Sequence, residues 1–390
     1  MLERYYQGKR VFVTGHTGFK GAWLALALKR LNARATGYAL APPSNPDLFD
    51  LAHVAQDIAD IRGDIADVAS LRDAMHSAQP DIVIHLAAQS LVRAAYADPL
   101  EAYNTNVMGT ANVLEATRTT ASVQVVLIVT TDKCYDNQDW VWGYRETDAL
   151  GGRDPYSSSK ACAELVTRAY RDSYFAARGA ARILTARAGN VIGGGDFAAD
   201  RIVPDAVRAF LGGGSLNIRN PAAVRPWQHV MEPLIGYLQL IEAAATQAPH
   251  ELDGAWNFGP GAESERSVEE LVTRFIGAWG KDAWGKGAWG KGAHWTRDGG
   301  AHPHEARLLR LDTAKSREIL GWRPLLNFEE TTDWTADWYR AYAGGADMRE
   351  TTLLQIDRYL GQRLRFTSPF ADIADAEAPE EASAPLQAQG

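Results

Sequence analysis

Tyr156 and Lys160 sit four residues apart in the run Asp154-Pro155-Tyr156-Ser157-Ser158-Ser159-Lys160-Ala161. On a helix that spacing puts both side chains on one face, where an ammonium can lie near a phenol. A nearby positive charge favours phenolate and draws a tyrosine pKa below its usual value of about 10. Such a tyrosine can take a proton from an alcohol near neutral pH, as hydride chemistry that forms a carbonyl requires. Tyr5 and Lys9 repeat the spacing upstream of the first strand, so the pair acquires meaning only from its surroundings. Lysine is scarce, nine of 40 basic residues, which singles out Lys133 and Lys160. Arginine keeps its charge, whereas lysine can lose a proton when buried.

Short apolar runs alternate with longer amphipathic ones through the first half of the chain. Strands are predicted at 10–14, 35–40, 57–62, 81–86, 123–130 and 182–186, and helices at 18–31, 67–77, 99–118 and 155–177. Unbroken apolar strands separated by helices indicate an α/β fold, a doubly wound parallel sheet of Rossmann type. Ligands of such sheets bind beyond the carboxyl ends of the strands. Thr14-Gly15-His16-Thr17-Gly18-Phe19-Lys20-Gly21 joins the first strand to the first helix. Its glycines allow a tight turn and close approach of a pyrophosphate to the helix N-terminus, which predicts a dinucleotide site. The spacing is G-x-x-G-x-x-G, and the second strand ends Tyr38-Ala39-Leu40-Ala41-Pro42-Pro43-Ser44 with no carboxylate or arginine at its tip. The usual rule separating NAD from NADP therefore fails. Asp64 and His85-Leu86-Ala87-Ala88 are candidate contacts for the adenosine half, while His16 reads equally as an incidental loop residue.

A length of 390 residues predicts more than one domain. Residues 1–190 read as the dinucleotide-binding domain, with 229–258 returning to it. Residues 191–228 and 259–365 read as a smaller, irregular substrate lobe carrying a threefold pentapeptide repeat at 278–292, an expanded surface loop. The Ala/Glu/Pro-rich stretch 371–390 reads as a disordered tail. A net charge of −8 argues against nucleic acid or an anionic membrane as partner. No run of about 18 apolar residues and no signal-peptide pattern is visible, and Cys134 and Cys162 make neither a disulfide framework nor a metal-ligand spacing. The expectation is a cytoplasmic, metal-free protein.

The glycine turn, His85-Leu86-Ala87-Ala88, Asn106-Val107-Met108-Gly109-Thr110 and the Tyr156/Lys160 pair together resemble the extended short-chain dehydrogenases/reductases over residues 8–340. Thr130-Thr131-Asp132-Lys133-Cys134-Tyr135 is similar to the segment by which nucleotide-sugar 4,6-dehydratases differ from 4-epimerases, with lysine at the position of the family's glutamate. That lysine, with Arg225-Pro226-Trp227-Gln228-His229-Val230 and Pro303-His304-Glu305-Ala306, resembles the branch acting on CDP-glucose. The resemblance implies Tyr156, Lys160 and Thr131 for oxidation at sugar C4, Asp132 as acid for the departing 6-OH, and Lys133 in the place of the C5 base. Lys133 can be a base only if desolvated; otherwise it pairs with Asp132 or Asp136. The implied NAD contacts are Gly15, His16, Thr17, Gly18, Phe19, Lys20, Gly21, Asp64, Ile65, Leu86, Ala87, Ala88, Asn106, Tyr156 and Lys160. The implied substrate contacts are Gln89, Asn190, Gly195, Asp196, Arg201, Arg219, Arg225 and His304, with a second phosphate ligand open between His302, His304, Arg307 and Arg310. A homodimer (or tetramer) through the helices at 99–118 and 155–177 and a role in deoxysugars for surface polysaccharide also follow from the resemblance. Competing readings are another nucleotide-sugar 4,6-dehydratase, a 4-epimerase, and a catalytically silent dinucleotide sensor.

Overall fold

The computed structural model describes residues 2–177, 179–247, 252–280, 293–300 and 308–367. Most of the pentapeptide repeat, His302, His304, Arg307 and the stretch 371–390 lie outside the described residues.

The apolar runs become the strands of one parallel sheet: β1 (Arg10–Thr14), β2 (Arg34–Ala39), β3 (Ala59–Arg62), β4 (Ile82–His85), β5 (Val125–Val129), β6 (Arg182–Ala188) and β7 (Gly254–Phe258). Their spatial order is β7-β6-β5-β4-β1-β2-β3. β4 and β5 are buried along their whole length, which is why their sequences, His85 at the end of β4 apart, are apolar rather than alternating. Helices Phe19–Arg30, Val68–Ala78, Pro155–Tyr174 and Met231–Thr246 supply the covering layers. β6 runs two residues beyond the predicted stop, because Arg187 and Ala188 pair with Asn257 and Phe258 of β7, a partner far away in sequence.

The predicted helix at 99–118 is not uniform. Pro99–Tyr103 and Gly109–Arg118 are α-helical, and Asn104–Met108 between them forms a wider π turn. Such turns commonly accompany functional sites because they re-aim side chains. Here Asn106 turns inward, donating to the Gln89 carbonyl and to Ser159 Oγ while accepting from the Gln89 amide. Pro155–Tyr174 starts sharply because Asp154 caps it, accepting the Ser157 amide at 2.9 Å, and Pro155 occupies its first turn.

Residues 328–367, read from sequence with the smaller lobe, form helices Phe328–Ala343 and Met348–Thr367, and the latter packs against Phe19–Arg30. One carboxylate ties this layer down. Glu232, fully buried at the start of Met231–Thr246, accepts the amides of Leu325 (2.9 Å) and Leu326 (2.7 Å) and the Tyr359 hydroxyl (2.6 Å). Burial pushes its pKa up to about 7 despite these donors. No helix among the described residues is long and apolar enough to cross a membrane. Replacing Glu232 by alanine strands three buried donors, so chemical denaturation should show a loss of about 3 kcal/mol or more.

Candidate active site

A cleft of about 1230 Å³ opens across the carboxyl ends of β1, β2, β4, β5 and β6. Its floor is the glycine turn. Gly15 has φ +76°, and a Cβ there would lie 2.6 Å from the Ala87 amide nitrogen; a Cβ on Gly21 would lie 2.1 Å from the Gly15 carbonyl oxygen. Gly18 begins Phe19–Arg30 without a side-chain cap, so the first-turn amides are left to an outside acceptor. A close-approaching turn ahead of an uncapped helix fits a dinucleotide pyrophosphate. Thr17 donates to the Leu40 carbonyl (3.1 Å), holding the turn against a wall of Ala39, Leu40, Ala41, Pro43 and Ser44. Asp64, Ile65, Leu86, Ala87, Ala88 and Gln89 continue that wall. Lys20 projects into the same cleft, its pKa lowered to about 8 by burial, with Arg201 and Lys160 adding repulsion.

Two expected cofactor contacts lie elsewhere. The His16 imidazole turns away from the cleft, with Nε2 2.8 Å from Asp60 Oδ1 and its edge against Phe49. It fills the space left by Gly37, where a Cβ would meet the ring at 2.3 Å. Asn106 is buried behind the wall and acts on Gln89 through the bonds described above.

Thr131 caps the single turn Asp132–Cys134, and its hydroxyl donates to Asp132 Oδ1 at 2.9 Å. Asp132 is buried, and its Oδ2 has no hydrogen-bond partner among the described residues. A Cβ on Gly189 would lie 1.8 Å from that oxygen, so only glycine at 189 leaves the carboxylate in place. Lys133 is exposed to the cleft, its ammonium 5.9 Å from the centroid of the Tyr156 ring, and it makes no ion pair with Asp132 or Asp136.

Tyr156 packs against Val92, Ala95 and Ala102. Burial pushes its pKa up to about 12; the nearby Thr131 hydroxyl opposes this and the Asp132 carboxylate adds to it. Burial therefore opposes the lowering expected from a nearby ammonium. Desolvation outweighs the cations nearby, and Lys160 is engaged elsewhere, donating to the Val129 carbonyl at 3.3 Å. Burial lowers Lys160 in turn, to about 8, although the Glu164 carboxylate pulls it back up. The decoy pair meets only at the surface of the first helical turn, with the Lys9 ammonium 5.2 Å from the Tyr5 ring.

On the other bank, Asn190 (φ +45°) and Gly195 (φ +80°) hold the cleft rim in left-handed backbone. Asp196 pairs with Arg201 at 2.8 Å, and Arg201 reaches across to Ser90 Oγ at 2.9 Å. Arg93 and Asp200 form a second bridge between the same two segments. Arg219 and Arg225 line the cleft beyond. Arg310 is not with them: it donates to the Val141 carbonyl (3.0 Å) and pairs with Glu265. The Ser90, Arg93 and Asp200 contacts had no signal in the sequence, because each joins residues more than 100 apart.

Residues 12–335 match the family described as GDP-mannose 4,6 dehydratase. The chain belongs to this family of nucleotide-sugar 4,6-dehydratases. A CDP-glucose 4,6-dehydratase from Salmonella typhimurium is 44% identical over 367 residues, 93% of this chain and 99% of that one. A dTDP-glucose 4,6-dehydratase from Mycolicibacterium smegmatis is 29% identical, covering 85% of this chain and 93% of that one. A solved dTDP-glucose 4,6-dehydratase from Streptomyces venezuelae with NAD bound superposes with a TM-score of 0.72 at 25% identity, over 87% of this chain and 99% of that one. A UDP-glucose 4-epimerase from Brucella ovis shares the fold at 22% identity, with a TM-score of 0.71 over 85% and 99% of the two chains.

Burial in the cleft lowers Lys20 and Lys160. Lys160 loses its charge as pH rises through about 8, so turnover should fall on an alkaline limb near that value. A pH–rate profile checks this, and Lys160→Arg, which cannot deprotonate, should remove the limb from whatever activity remains.

Proposed function

We propose that this chain is a CDP-glucose 4,6-dehydratase that uses NAD as a recycled cofactor and releases CDP-4-keto-6-deoxyglucose. The observation that supports it is the placing of Asp132, with one buried oxygen unengaged, and of the Lys133 ammonium around the Tyr156 ring. An epimerase needs the tyrosine but neither of the other two. The choice of CDP-glucose rests on the Salmonella relative.

NAD bound on the glycine turn would accept hydride from sugar C4 and give it back at C6. Tyr156 takes the 4-OH proton, with Thr131 on its phenol side to share it. A phenol held near 12 is a poor base, and a positively charged ligand beside it lowers that value by simple Coulomb attraction. The resulting 4-ketone acidifies C5–H. Lys133, exposed in the open cleft, can take that proton only where the bound sugar nucleotide shields it from water, and Asp132 delivers a proton to the 6-oxygen, which leaves as water. Return of a proton to C5 as C6 is reduced completes the balance. The diphosphate falls to Arg225, Arg219 and the Asn190 rim, and Asp196 holds Arg201 over the sugar end.

The assembly we propose is a cytoplasmic homodimer. The helical segments at 99–118 and 155–174 pack side by side and expose Leu100, Tyr103, Met108, Leu165 and Tyr174 on their outer faces. Apolar side chains clustered on an open face mark an interaction surface, and two copies of that face would bury it.

Assayed against CDP-, dTDP-, GDP- and UDP-hexoses, the protein should convert CDP-glucose fastest; no 4-keto-6-deoxy product from any of them would sink the proposal. Asp132→Asn and Lys133→Met should each retain C4 oxidation and lose product formation by about a hundredfold or more. Light scattering should give twice the chain mass, shifting to the monomer in Leu100→Asp/Leu165→Asp.

A further inference from the structure

We infer that the buried Glu164–Arg187 ion pair fixes the spacing between the two halves of the catalytic centre, so that both residues are positioning residues for the elimination steps. The inference rests on the dehydratase reading above. Glu164 lies one helical turn beyond Lys160 and two beyond Tyr156 on Pro155–Tyr174. Its side chain is 4% exposed and that of Arg187 is 3% exposed.

Every acceptor position of the carboxylate is used. Oε1 accepts from Thr130 Oγ1 and from Arg187 Nε (2.9 Å), and Oε2 from Thr185 Oγ1 (2.7 Å) and Arg187 Nη2 (2.9 Å). The guanidinium goes further. Its Nη1 donates to the Tyr135 hydroxyl (2.6 Å) and to the Glu146 carbonyl (3.2 Å), and its plane lies 4.8 Å from the Tyr135 ring centroid. Tyr135 then donates to Asn257 Oδ1 at 2.8 Å.

Thr130 immediately precedes the catalytic turn and Tyr135 immediately follows Cys134 at its end. Both flanks therefore end on a single ion pair, whose acid belongs to the helix bearing Tyr156 and Lys160. Thr131, Asp132 and Lys133 are suspended between those two anchors. Oxidation at C4 calls on the helix and the cofactor. Elimination needs the turn at a set distance from a sugar held over that helix. A misplacement of about 1 Å is enough to cost a reaction about a hundredfold. The turn's other ties are backbone and packing contacts: the Thr130 amide to the Ala186 carbonyl, the Cys134 carbonyl to the Gly151 amide, the Thr131 cap, Tyr135 stacked on Tyr144 and bridged to Leu150, and Cys134 in a buried cluster with Ala161.

The test uses Glu164→Gln, Arg187→Lys and the double variant Thr130→Val/Tyr135→Phe, which keeps the ion pair and removes the side-chain hydrogen bonds that tie it to the turn. Each is mixed with NAD and CDP-glucose. The expected result is reduced nicotinamide building up in the near-ultraviolet, while C5 exchange with deuterated solvent and product release fall by about a hundredfold. KM for the sugar nucleotide should stay within about twofold, as for residues that do not touch substrate in the ground state. Should the Glu164 and Arg187 variants not fold, the double variant decides by the same readouts. Unchanged product formation in the double variant, or oxidation and elimination slowed in equal proportion, would overturn the inference. An unmutated protein inactive on every nucleotide hexose would overturn the functional reading itself, which makes the two failures distinguishable.

Discussion

A guanidinium and a carboxylate, both out of water, sit where β5, β6 and the helix Pro155–Tyr174 meet. Removing two charges from solvent costs several kcal/mol per ion, and the pair is tolerable only with its remaining donors and acceptors satisfied. Thr130, Thr185, Tyr135 and the Glu146 carbonyl complete it. Each of these groups is thereby held in place, and so are the strand ends that carry them. The parallel sheet delivers its carboxyl ends to one edge; the ion pair decides how the catalytic helix lies on that edge.

The cleft shows the opposite electrostatic arrangement. Lys20, Lys160 and Arg201 share the cleft with the carboxyl groups of Asp132 and Asp196. Desolvation dominates the lysines and the phenol alike, driving Lys20 and Lys160 down and Tyr156 up, towards their neutral forms. A site meant for two diphosphates is thus short of negative charge when it has only its own side chains to draw on.

Much of this was legible in the sequence. The apolar runs gave six of the seven strands, the glycine turn gave the cleft floor, and the four-residue spacing gave the face shared by Tyr156 and Lys160. The same spacing, continued one step, reaches Glu164. The pKa of Tyr156 was not legible, because its burial comes from Val92, Ala95 and Ala102, some 55 to 65 positions upstream. Nor was the fate of His16 and Arg310. His16 stands in the glycine turn and Arg310 is one of four candidates for a phosphate ligand, whereas Asp60 and Glu265, the partners that take them away from the cleft, lie in segments with no motif at all.

The lowered ammonium groups have a consequence for binding as such. Lys20 and Lys160 both sit near 8, so at neutral pH a minority of each population is already uncharged. An anionic ligand stabilises the protonated form of both, so its arrival favours proton uptake at these two groups. Association is therefore a proton-coupled equilibrium. The heat of binding should depend on the ionisation enthalpy of the buffer, and affinity should decline towards alkaline pH even where the chemistry is left aside.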